Sequence, residues 1–101
     1  MADKNWDDKM VKLAREGDDS AAEALLQKYK TVVKRRASSY YMAGADRDDV
    51  IQEGMIGVFK AIRDYDPEKG ASFSTFADLC INRQIVTAVK AALRYKHSPL
   101  N

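Results

Sequence analysis

This 101-residue sequence contains one cysteine, one histidine, one tryptophan and two prolines. With Cys80 alone, an intrachain disulfide and a cysteine-rich metal site are both excluded. A single Cys in an apolar helical stretch reads as a small core residue. His97 has no Cys, Ser or metal-ligand companion at useful spacing, so no catalytic constellation is visible. The one tight carboxylate group, Asp46, Asp48, Asp49 and Glu53, lacks the Gly-containing loop of a calcium site. No stretch approaches the roughly 18 uninterrupted apolar residues of a membrane span. The start, MADKNWDD, lacks the apolar region of a signal peptide. Period-two alternation is absent, which argues against strands. The chain therefore reads as cytosolic and non-enzymatic, with no cofactor and no membrane contact.

What remains is an ordinary globular composition, 46% hydrophobic and 32% charged, at a length that suits one domain and one core. A net charge of +2 is too small to signal a nucleic-acid ligand by itself. The distribution is more telling. Residues 46–66 hold 6 acids and 3 bases, residues 28–36 hold 5 bases and no acid, and residues 67–101 hold 5 bases and 2 acids.

Apolar spacing of three and four, punctuated by Gly and Pro, predicts four helices and an all-α bundle. The first, over 5–17, puts Trp6, Met10, Leu13 and Ala14 on one face and stops at Gly17. The second, over 20–43, opens on the capping box Ser20-Ala21-Ala22-Glu23 and closes at Gly44. It carries Ala22, Leu25, Leu26, Tyr29, Val32, Val33, Ala37 and Tyr40 toward the core. The third, over 46–65, begins with Asp46, Asp48 and Asp49, which suit the free amides of a first turn. Its expected core face is Val50 or Ile51, Met55, Val58, Phe59 and Ile62. Gly54 and Gly57 inside it each cost about 1 kcal/mol relative to alanine. Either a neighbouring helix or an outside partner must press close there. After the turn DPEKGASFS, the fourth helix spans 74–95, with Leu79, Val86, Val89 and Leu93 as its core arc. Residues 1–95 thus form one domain, and KHSPLN, residues 96–101, reads as the start of a linker in which Pro99 cannot continue the helix.

Two features point to ligands. Arg83, Thr87, Lys90 and Arg94 make one basic stripe, which suits a phosphate backbone or a major groove. Just before it, Phe73, Ser74, Thr75 and Phe76 set two aromatic rings around two hydroxyls beside Lys69. Rings of this kind stack on unpaired bases. Phe73 is expected to be buried, while Phe76 suits either the core or a base.

The run DDVIQEGMIGVFKAIRDYDPEKGASFSTFA, residues 48–77, closely resembles region 2 of bacterial RNA polymerase sigma factors. The lead-in KLAREGDDSAAEALLQKY and the tail RYKHSPLN resemble the sigma-H type, the stationary-phase and sporulation class. The resemblance implies a four-helix region 2 bundle that docks on the beta-prime clamp coiled coil of core polymerase and recognises and melts the −10 promoter element. It implies core-polymerase contacts for Lys30, Val33, Asp49, Gln52, Glu53, Met55 and Phe59. For the nontemplate strand of the −10 element it implies Phe73, Thr75 and Phe76 in the melting segment, and Asn82, Arg83 and Thr87 in sequence reading. Lys60 and Lys90 fall to phosphates.

Two departures stand out. Leu79 and Cys80 occupy the positions where primary sigma factors carry a tryptophan pair, and Phe76 stands where the family's base-pocket tyrosine has a hydroxyl. A promoter preference different from the housekeeping one is the implication. A second, C-terminal domain reading the −35 element is expected beyond residue 101. The competing readings are a helical regulatory module that binds an anti-sigma factor or other protein without promoter activity, and a general helical RNA-binding domain.

Overall fold

The computed structural model describes residues 2–40 and 46–97, with side chains from 5 to 94 within those ranges. Four helices carry the fold: α1 (Ala2–Arg15), α2 (Asp19–Ser38), α3 (Arg47–Asp64) and α4 (Phe73–His97), with a 3₁₀ turn at Pro67–Lys69 between the last two. No strand occurs among the described residues, and no helix among them is long and apolar enough to cross a membrane.

Local chemistry sets the ends. Gly17, at φ +100°, closes α1 while its amide bonds the Ala14 carbonyl and the Asp18 amide bonds that of Leu13. The expected capping box at Ser20 does not form. Instead Asp18 caps α2, accepting from the amides of Ser20 and Ala21 and from the Ser20 hydroxyl, because its carboxylate stands one residue outside the first turn. Those bonds hold the Asp18 pKa below its ordinary value. The regular part of α2 ends at Ser38, short of the expected 43; the predicted closure at Gly44 lies outside the described residues, as does Pro99. Asp46 caps α3 through the amides of Asp48 and Asp49. Ser72 serves α4, its hydroxyl oxygen accepting from the Thr75 amide, so that Phe73 rather than Ser74 is the first helical residue.

The core runs through all four helices. It draws Val11 from α1, Leu25, Tyr29, Val33 and Ala37 from α2, Val50, Val58, Ala61 and Ile62 from α3, and Phe73, Ala77, Ile81, Ile85 and Val89 from α4. Two expected core positions face water instead: Phe59 is 56% and Leu79 50% exposed. On α4 the buried arc is Ala77, Ile81, Ile85 and Val89, spaced by four, which leaves Leu79 on a different side.

Both interior glycines serve the fold itself. A Cβ on Gly57 would stand 2.8 Å from the Cys80 carbonyl oxygen and from Ile81 Cα, so the α3 backbone lies directly on the α4 backbone. At Gly54 the added carbon would meet Val33 Cγ1 at 2.5 Å and Ile85 Cδ1 at 3.2 Å. Both glycines are buried by the chain's own helices, which offsets their helix cost and leaves them no surface for an outside partner.

Among the described residues, one acidic side chain is buried. Asp7 of α1 accepts from Lys28 Nζ and from the Tyr29 hydroxyl, each at 2.6 Å, and the Lys28 ammonium lies 5.0 Å from the centre of the Trp6 ring. This group ties α1 to α2. Arg15 makes a second tie, donating to the Arg63 carbonyl at 2.8 Å near the end of α3.

The two glycines should respond differently to alanine. Gly57→Ala forces two helix backbones apart, so overpacking of about 1–3 kcal/mol outweighs any gain in helix propensity. Gly54→Ala strikes mainly a side-chain methyl, so the Gly54→Ala, Val33→Ala pair loses less than the sum of its single changes. Urea unfolding followed by circular dichroism measures both.

Candidate functional site

Three surfaces converge on the α3–α4 pair. The outer face of α3 presents Asp49, Gln52, Glu53, Ile56 and Phe59, residues three and four apart that form one strip. Asp49 and Gln52 are exposed, Glu53 and Met55 half-buried, and Ile56 is 37% exposed. Beside this strip a cleft of about 310 Å³ is walled by Asp46, Asp49, Gln52 and Glu53 and floored by Val50, Ala88, Val89 and Ala92. Of the polymerase-contact residues expected from sequence, Lys30 is exposed on α2, but Val33 is 0% exposed under Gly54 and offers nothing to a partner. Val33 is a packing residue. Ile56, missed in the sequence, belongs with Phe59 as exposed apolar surface.

The second surface is the turn into α4. Phe73 is 1% exposed, with Tyr29 and Tyr65 packed edge-on at 5.4 and 5.3 Å between ring centres. It is therefore an anchor of the core and cannot itself touch a base. Phe76 is half-buried, its ring 5.9 Å from Tyr65 and tilted, and it lines a cleft of about 280 Å³ with Asp64, Tyr65, Asp66, Lys69 and Ala71. Thr75 is exposed, its hydroxyl oxygen accepting from Ser72 at 3.1 Å. Tyr65 went unnoticed in the sequence. Buried beneath the turn, it donates its hydroxyl to the Ala71 carbonyl at 2.9 Å, closing the loop that Pro67 and Gly70 shape. The only signal was its place immediately before the DPEKG turn.

The third surface is the stripe. Arg83, Thr87, Lys90 and Arg94 are all exposed along α4, and Leu79 stands four residues ahead of Arg83. Asn82 is half-buried and accepts from the Tyr40 hydroxyl at 3.3 Å. Asp78 is the sole acid of α4, and Arg36 of α2 pairs with it through both Nε and Nη2. Lys60 of α3 reaches toward α4, donating to Gln84 Oε1 at 2.8 Å, while Gln84 Nε2 donates to Glu53 Oε1 at 2.8 Å.

Cys80 marks the seam between these surfaces. Burial, and then the Asp64 carboxylate, push its thiol up, against the opposing fields of Arg83, Lys60 and Arg63. Burial and the Asp8 carboxylate likewise raise the Tyr65 phenol. Among the described residues, no group of three or more His, Cys, Asp or Glu is arranged to hold a metal ion.

An acidic and apolar strip, an aromatic turn and a basic stripe thus lie together on one helical pair. The model of the sigma-70 region 2 family matches residues 25–95, and the chain belongs to that family. It is 50% identical over 95 residues to the RNA polymerase sigma-H factors of Bacillus licheniformis and Bacillus subtilis, covering 94% of this chain in each case. It is also 37% identical over 76 residues to the sigma factor FliA of Pseudomonas aeruginosa, covering 70% of this chain and 30% of that protein. The chain spans less than half the length of the sigma-H relatives, 43% and 44%.

Two outcomes follow from the aromatic packing. Phe73→Ala lowers the unfolding free energy by about 3–5 kcal/mol, and Phe76→Ala, truncating a half-buried ring, costs clearly less in the same urea titration. The raised Tyr65 and Cys80 groups favour the folded state while protonated. Their contribution is complete below their unfolded values and is lost as pH rises through their folded ones. The midpoint of thermal unfolding therefore falls in alkaline solution, and less steeply in Cys80→Ala.

Proposed function

We propose that this domain acts in promoter recognition: it binds core RNA polymerase through the outer face of α3 and captures the nontemplate strand of the −10 element through the start and stripe of α4. The observation that carries this reading is the placement of exposed Asp49, Gln52, Ile56 and Phe59 on the helix packed directly against the one that presents Arg83, Thr87, Lys90 and Arg94. The acidic and apolar strip suits the beta-prime clamp coiled coil, with Ile56 and Phe59 as apolar anchors and Asp49, Gln52 and Glu53 as polar partners. Lys30 contributes from α2, and Met55 supports the strip from below. Relatives named as sigma-H factors favour this assignment and a place in stationary-phase or sporulation transcription.

On the nucleic-acid side, Phe76 and the cleft beside it take the role of the base pocket, and Phe73 holds that wall in place from the core. Thr75, Asn82, Arg83 and Thr87 meet bases or sugars, and Lys60 and Lys90 meet phosphates. With Leu79 and Cys80 in place of a tryptophan pair, the edge of the melted region rests on an exposed aliphatic side chain instead of stacked rings. This domain works in the cytoplasm and catalyses no reaction of its own.

A pull-down with the beta-prime clamp fragment tests the first half. Wild type binds, and Gln52→Ala and Glu53→Lys bind less; failure of the wild type to bind sinks the reading and leaves an anti-sigma or other helical protein as the partner of this strip. Binding of −10 single-stranded oligonucleotides in the presence of core polymerase tests the second half. Arg83→Ala relaxes base preference, whereas Lys90→Ala weakens all sequences alike and lowers the salt slope by about 0.7 for each phosphate left without its cation.

A further inference from the structure

Glu53 and Lys60 stand seven residues apart on α3, about 10.5 Å along the axis, too far to pair directly. Gln84 of α4 bridges them, its amide nitrogen donating to Glu53 Oε1 and its amide oxygen accepting from Lys60 Nζ, both at 2.8 Å. Only this orientation of the amide satisfies both neighbours, because the reverse would set a carbonyl against a carboxylate and an NH₂ against an ammonium. Each charged group keeps free valence. Glu53 retains its second oxygen and Lys60 two of its three protons.

The two groups held by that amide belong to different surfaces. Glu53 lines the acidic cleft with Asp49 and Gln52. Lys60 reaches α4 at Gln84, the residue that follows Arg83, which sets it beside the basic stripe. Left alone, long Glu and Lys side chains sample several rotamers, and a partner that needs one of them must order it on binding.

We propose that Gln84 is a positioning residue that presets Glu53 for the polymerase and Lys60 for the phosphate backbone before either partner arrives. This rests on the two-surface function above and adds to it a residue that touches neither partner. A single neutral amide on α4 orders one charge on each face of the domain.

Gln84→Met tests it, since methionine keeps the length and the packing of the stem and removes both hydrogen bonds. Affinity for the beta-prime clamp fragment falls about 2–10-fold, and affinity for a single-stranded oligonucleotide falls by a similar factor. The first loss disappears in a Glu53→Ala background and the second in a Lys60→Ala background. Losses that persist there, or no loss at all, overturn the proposal. If the wild type binds neither probe, the two-surface function fails, and positioning is then read in the free chain by side-chain NMR order parameters of Glu53 and Lys60. These fall in Gln84→Met; unchanged values overturn the proposal independently.

Discussion

The arrangement depends on how closely α3 lies on α4. With no side chain at Gly57, the two backbones meet, and the carbonyl of Cys80 and the Cα of Ile81 occupy the space a Cβ would need. That contact fixes both the separation and the register of the helices. Register is what matters for the surfaces, because it sets Glu53 and Lys60 opposite Gln84, and the acidic start of α3 opposite Ala88 and Ala92. The acidic and apolar strip of α3 and the basic stripe of α4 are thus two sides of one rigid pair.

A second line of contacts reaches the aromatic turn from the far side of the domain. Asp7 holds the Tyr29 hydroxyl, the Tyr29 ring meets Phe73, Phe73 meets Tyr65, and Tyr65 meets Phe76. Edge-on aromatic pairs at these distances are directional as well as apolar. They hold the first turn of α4 against α2 and the end of α3, so that Phe76 is backed by a wall of rings. The buried charge of Asp7 is answered by one ammonium and one hydroxyl, which is how a carboxylate becomes tolerable in a core.

Much of this was legible in the residues. The four helices follow from apolar spacing, and Gly17, Asp46 and the Pro67–Gly70 turn mark ends because their backbone or side-chain chemistry leaves little choice. The errors have a common cause. Phe59 and Leu79 are large and apolar, and periodicity alone does not distinguish an apolar residue kept for the core from one kept for a partner. Val33 shows the converse: its motif position suggests contact, but its burial makes it a support, whereas Phe73 is buried as its place in the turn leads one to expect. Asp7 was hidden because an acid near a polar N-terminus reads as solvated; its alignment with Val11 and Ala14 on one helical stripe was the available clue. Gln84 was invisible, since a polar residue between two charges on another helix has no signature in one dimension.

The pairing of Arg36 with Asp78 has a consequence for how the domain moves toward its ligands. Asp78 is the only acid in residues 69–101, so once its charge is neutralised, α4 presents positive charge alone, while the start of α3 presents mainly negative charge. A molecule of net charge +2 therefore sorts opposite charges onto neighbouring helices, a separation that the small net number hides. In the field of a polyanion such a body rotates before it touches, so productive orientation is selected during diffusion instead of after collision.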